Sequence, residues 1–115
     1  MKVTIYHNPR CSKSRQALAL LRDRGIEPEI IEYLKTPPDA ATLKQILKKL
    51  DLAPRDLMRR KEAVYRELGL DDAALGDDDL VAAMVENPVL IERPVVLAGG
   101  RAALGRPPEQ VLEIL

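Results

Sequence analysis

The tightest constraint in this sequence is the succession of a strand, a helix and a second strand within residues 2 to 33. The stretch "KVTIYH" alternates and is rich in β-formers, so residues 2–6 read as a strand. Residues 12–24 read as a helix. Ala17, Leu20 and Leu21, with Leu18 beside them, make an apolar stripe, and Gly25 supplies a stop. "EPEIIEYL" then provides a strand around residues 29–33. Strands this close, joined through a helix, form a βαβ unit and lie parallel.

The middle of the chain is helical. "TPPDAATLKQILKKL" opens a helix with Thr36 or Asp39 as cap and Pro37 near its first turn, and Leu43, Ile46, Leu47 and Leu50 recur at helical spacing. Two further helices are expected near 55–68, ending at Gly69, and 78–86, capped by Asp77 or Asp78 and stopped by Asn87-Pro88. "RPVVLAGGRAALG" reads as a hairpin turning at Gly99-Gly100. Pro107, Pro108 and Glu109 open a last helix, with Val111, Leu112 and Leu115 on one side. The order is β-α-β, a helical block, then β-β-α. This predicts one α/β domain over residues 1–115, a thioredoxin-like fold with a four-stranded mixed sheet. A helical insertion, about 37–88, separates its second and third strands.

Composition narrows the function. With 46% hydrophobic residues, 115 residues can build one core, but Phe and Trp are absent and Tyr occurs three times. The core must be aliphatic, and aromatic stacking on nucleic-acid bases is disfavoured. Eighteen basic and eighteen acidic residues cancel, so no global field draws nucleic acid or an anionic membrane. Locally, residues 44–66 carry eight Lys/Arg against three acids, and 67–86 carry seven acids and no base. The single cysteine forbids an intrachain disulfide, Met1-Lys2-Val3-Thr4 begins no signal peptide, and no apolar run nears membrane-spanning length. A soluble protein of the reducing cytoplasm is expected, with no nucleic-acid or membrane partner.

The lone cysteine sits in "YHNPRCSKSR", in the loop after the first strand and just before the helix. In a βαβ unit that loop lies at the carboxyl edge of the sheet, where ligands bind. Helix N-terminal amides and dipole favour an anion there, and Arg10, Lys13, Arg15 and His7 add positive charge. All of these favour thiolate over thiol, which makes Cys11 a candidate nucleophile. A lone cysteine is otherwise most often a small buried hydrophobe, and His7 could simply end a strand. Cys11 to Arg15 is C-x3-R, not the C-x5-R loop of cysteine phosphatases, and no Cys/His cluster offers metal ligands. Cys11-Ser12-Lys13-Ser14 is C-x-x-S, so thiol redox chemistry would need a resolving sulfur from another molecule, such as glutathione or a small redox protein.

Arg59, Arg93 and Arg106 are the remaining candidates, since a guanidinium fork suits a tetrahedral oxyanion. Taken singly, each fits a solvated surface at least as well. In thioredoxin-like folds the proline at the position of Pro94 is cis and faces the redox cysteine, so Arg93-Pro94 is expected beside Cys11.

"YHNPRCSKSR", "EYLKTPP", "LMRRKEAVYRELGL", "NPVLIERPVV" and "GRPPEQVLEIL" together resemble the glutaredoxin-coupled arsenate reductase (ArsC) family, in order over nearly the whole chain. The resemblance implies that Cys11 attacks arsenate and that Arg59, Arg93 and Arg106 hold the oxyanion. It also implies that His7, Asn8, Ser14 and Arg15 support the thiolate. The implied reaction ends in a Cys11–glutathione disulfide that glutaredoxin clears, with glutathione as co-substrate and no bound cofactor or metal. Ser12-Lys13 stands where the familiar arsenate-resistance enzymes have Gly-Thr, and those enzymes continue past the last helix, so the chain is similar to a shorter subgroup. Two alternatives share the fold. One is an Spx-like thiol-responsive regulator that binds RNA polymerase, although Spx-type chains usually carry C-x-x-C and lack an arginine matching Arg106. The other is a glutathione-dependent oxidoreductase acting on another thiol substrate.

Overall fold

The computed structural model describes residues 2–115. Four strands, β1 (Val3–His7), β2 (Glu29–Glu32), β3 (Val95–Ala98) and β4 (Arg101–Leu104), form one sheet in the order β2-β1-β3-β4. β1 runs parallel to β2 and antiparallel to β3, and β3 is antiparallel to β4, which is the mixed sheet expected of a thioredoxin-like fold. The β3–β4 turn places Gly99 and Gly100 both at positive φ, 54° and 82°, as a two-residue hairpin loop requires.

Helix α1 (Ser12–Asp23) joins β1 to β2. Its buried positions are Ser14, Ala17, Leu18 and Leu21, spaced i, i+3, i+4, i+7, while Leu20 is only half-buried. The stripe therefore starts at a serine, one turn earlier than the apolar residues alone suggest. α1 and the C-terminal segment pack on Val3, Ile5, Val96 and Ala103 of the sheet. Each fully buried aliphatic side chain there contributes about 1.5–3 kcal/mol. Strand alternation puts His7 on the same side as Val3 and Ile5, toward α1.

The last segment, Pro108–Ile114, is a 3-10 helix and not the expected α-helix. Its buried residues are Pro108, Val111 and Ile114, one every three positions. A 3-10 helix eclipses side chains at i and i+3, so it buries this set where an α-helix would have turned Leu115 inward.

The sheet, α1 and the C-terminal segment make one compact unit, formed by residues up to Thr36 and by Arg93–Leu115. Pro37–Glu92 form a second. In the second unit, α2 (Ala40–Leu50) is capped by Asp39, whose Oδ1 accepts the Thr42 N–H at 2.8 Å. α2 packs against α4 (Asp77–Glu86), and Leu43, Ile46 and Leu47 of the one and Leu80, Val81 and Met84 of the other are buried. Gly76 caps α4, ahead of the aspartates expected there, and its N–H is bound by Asp79 Oδ2 at 2.9 Å.

The helix expected over 55–68 is broken. A 3-10 turn, Pro54–Leu57, is followed by an antiparallel bridge between Met58 and Ile91, and only then by the short α3 (Ala63–Glu67). Arg59 N–H donates to Leu90 O at 2.7 Å and Glu92 N–H to Leu57 O at 2.8 Å. These bonds between distant segments replace helical i to i−4 bonds, and the second unit extends to Glu92. Among the described residues no helix is long and apolar enough to cross a membrane.

Candidate active site

Cys11 is the N-cap residue of α1, with φ −92° and ψ 123°. Its N–H donates to Asn8 O at 3.0 Å, and its carbonyl accepts the Arg15 N–H at 3.0 Å as the helix begins. Asn8 Oδ1 accepts the Arg10 N–H at 3.0 Å, and Arg15 Nη1 donates to Pro9 O at 2.9 Å. Asn8 and Arg15 thus hold the loop, while the Arg10 and Lys13 side chains are exposed.

The Cys11 thiol lies below its ordinary pKa. Burial pushes it up, but the Ser14 N–H, a hydrogen bond and the charge of Arg93, and the Lys13 N–H outweigh that push. Lys13 therefore acts on the sulfur through its backbone amide. The loop cations foreseen from the sequence matter less than Arg93, which comes from 82 residues further along the chain.

His7 reaches the site through Ser14. His7 Nδ1 lies 2.6 Å from Ser14 Oγ, and the same oxygen accepts the Asn8 N–H at 3.1 Å. All three residues are buried, Ser14 completely. Burial lowers the His7 pKa, Glu32 opposes this, and Arg22 and Arg15 add to it, so the net shift favours the neutral ring. Burial therefore disfavours the imidazolium form of His7. The ring bonds the side chain of Ser14, whose amide faces the sulfur. The polar member of an otherwise apolar helical stripe is the sequence signal for this arrangement.

Pro94 is buried and follows a cis peptide bond from Arg93, and the Arg106–Pro107 bond is also cis. Gly105 N–H donates to Pro94 O at 2.9 Å, and Arg106 Nη1 donates to Arg93 O at 3.0 Å. A Cβ on Gly105 would stand 2.7 Å from Pro94 Cγ and 3.3 Å from Val111 Cγ1, so only glycine admits this close approach. Gly105 is a site residue that sequence reasoning missed, since a glycine between a strand and "RPP" reads as an ordinary turn.

Cys11, Arg93 and Arg106 are thus linked in the first unit. Arg59 belongs to the second, where Nε donates to Glu62 Oε1 at 3.0 Å and Nη1 to Glu92 Oε1 at 3.1 Å. Among the described residues no three His, Cys, Asp or Glu side chains cluster as metal ligands.

Known proteins resemble this chain over nearly its whole length. The chain is 58% identical to YfgD of Escherichia coli K12, over 99% of the chain and 97% of that protein. It is 53% identical to an arsenate reductase of Neisseria meningitidis serogroup A, over 99% and 98% of the two chains. The solved structure of an arsenate reductase from Vibrio cholerae superposes with a TM-score of 0.98 at 57% identity, covering 100% of this chain and 98% of that one. The model of the ArsC family matches residues 6–114, from the strand that carries His7 to the segment packed beneath Gly105. With nearly every residue inside that match, the chain belongs to the ArsC family.

Proposed function

We propose that this protein reduces arsenate to arsenite, with the Cys11 thiolate as nucleophile, glutathione as co-substrate and glutaredoxin as the partner that restores the thiol. The observation that carries this reading is the Arg93 guanidinium at the Cys11 sulfur. A planar cationic fork beside a thiolate suits a tetrahedral dianion that the sulfur attacks. Relatives named arsenate reductase support arsenate as the oxyanion. Arg106, one hydrogen bond from the Arg93 backbone, adds a second guanidinium for the oxyanion in this reading.

Cys11 Sγ attacks As(V), and an As–O bond breaks as that oxygen takes a proton and leaves as water. The glutathione thiol displaces a second oxygen in the same way. A sulfur–sulfur bond then forms between Cys11 and glutathione, leaving two electrons on arsenic. Two thiols are oxidised by one electron each, and As(V) becomes As(III). The chain has no other cysteine, so glutaredoxin removes the glutathionyl group by thiol–disulfide exchange. No resident cofactor takes part.

A coupled assay with glutathione, glutaredoxin, glutathione reductase and NADPH tests this reading. NADPH oxidation is expected to depend on arsenate, and intact-mass analysis to find one glutathione on Cys11. Sustained turnover without added thiol would remove the external resolving step. Absence of any arsenate-dependent rate would favour a thiol switch or another thiol substrate.

A further inference from the structure

Residues 104–106 grip the two residues that precede β3. Gly105 N–H binds Pro94 O at 2.9 Å, the Arg106 side chain binds Arg93 O at 3.0 Å, and Arg106 N–H turns back onto Leu104 O at 2.9 Å. Two consecutive carbonyls, Arg93 O and Pro94 O, are therefore held by two consecutive residues. The missing Cβ of Gly105 lets the Pro94 ring sit against that backbone. Pro94 is buried, and Val111 closes the other side of the space that a Cβ on Gly105 would fill. The Arg93 side chain starts from this clamped backbone and ends at the Cys11 sulfur.

We infer that Arg106 is a positioning residue for the nucleophile: its Nη1–H bond to the Arg93 carbonyl fixes the main chain from which the Arg93 guanidinium reaches Cys11. The bond uses one of five guanidinium donors, so it is compatible with an oxyanion contact by the same side chain. The two roles differ in what they control. An oxyanion ligand acts only when substrate is bound, whereas this bond acts on the free enzyme through the thiol. Arg93 acts on the Cys11 thiol both as hydrogen-bond donor and as charge, and Arg106 bonds the carbonyl of that same residue. The inference rests on Cys11 being an activated thiolate and not on the identity of the oxyanion.

The test is the pH dependence of iodoacetamide alkylation of Cys11 without substrate, in wild type, Arg106→Leu, Arg106→Gln, Arg106→Lys, Arg93→Ala and Arg93→Ala/Arg106→Leu. Leu removes the donor, whereas Gln keeps a donor without charge and Lys keeps both. Arg106→Leu is expected to slow alkylation at neutral pH by about threefold to tenfold, the equivalent of one lost hydrogen bond. Lys and Gln are expected to restore much of the rate. In the Arg93→Ala background the Leu substitution should add nothing, because its route to the sulfur is gone.

Equal and additive effects with and without Arg93 would overturn the inference, since Arg106 would then act on Cys11 directly. Wild-type alkylation in both the Leu and Gln variants would overturn it as well. If the Leu variant fails to fold, Arg106→Met, which keeps a long apolar stem without a donor, and the Arg93→Ala/Arg106→Met pair carry the same comparison. An ordinary thiol in the wild type would instead sink the thiolate reading itself, which keeps the two failures apart.

Discussion

His7 Nδ1 and Ser14 Oγ meet at 2.6 Å in the interior between β1 and α1, seven residues apart and both shielded from water. The pair locks the end of β1 to the first turn of α1, and the thiol loop is strung between them. Ser14→Ala would leave Asn8 N–H and the imidazole without this oxygen. The expected cost is about 1–3 kcal/mol, the penalty for a buried polar group losing its partner. Urea unfolding measures it, and a loss near zero would mean that the pair is incidental.

The same histidine predicts a pH dependence of stability. In the unfolded chain His7 protonates near 6.5, and burial lowers that value in the fold. The unfolded state therefore binds more protons in the window below 6.5. Stability is complete above it and is lost as pH falls from there through the folded pKa. His7→Gln is expected to flatten this part of the pH–stability curve. An unchanged slope would assign the effect to other groups.

Cys11 titrates in the opposite chemical sense, from thiol to thiolate, but again with a lowered folded pKa. Alkylation is expected to persist below the ~8.5 midpoint of a free thiol and to fall away as pH drops through the folded value. Cys11→Ser should abolish arsenate-dependent turnover while leaving the fold intact. A midpoint at the free-thiol value would remove the basis for nucleophilic attack.

Gly105→Ala introduces a Cβ into contact with the Pro94 ring and Val111. Overpacking of this kind costs about 1–3 kcal/mol, and it pushes on the backbone that carries Arg93. Both lower thermal stability and slower Cys11 alkylation are expected. If stability falls but reactivity is unchanged, the Pro94 ring moves without shifting Arg93.

Arg59→Ala removes the cation shared by Glu62 and Glu92, whose side chains are mostly buried. A loss of about 1 kcal/mol is expected, at the upper end for ion pairs that retain some exposure. Anion binding must therefore be compared at matched folded fractions. Arg59→Lys keeps the charge but bridges the two carboxylates less well, so it is expected to fall between alanine and wild type. Equal stability of all three would make the ion pairs energetically silent.

Local patterns in the sequence determined the βαβ unit, the Gly99-Gly100 hairpin and the placement of Cys11 at a helix start, and narrowed the cap of α2 to Thr36 or Asp39. Each depends on residues within a few positions of one another, through strand alternation, helical spacing and backbone preference. Only the tertiary structure decided that Arg93, not the neighbouring loop cations, is the side chain that bonds the sulfur. It also decided that burial favours the neutral form of His7. The bridge between Met58 and Ile91 breaks a helix that local spacing favoured, because its backbone partners lie some thirty residues away. The need for glycine at position 105 was likewise invisible, since the atom it must avoid belongs to a proline eleven residues earlier, just before β3. Tertiary packing brings groups distant in sequence within bonding distance, and desolvation disfavours the charged form of those it buries.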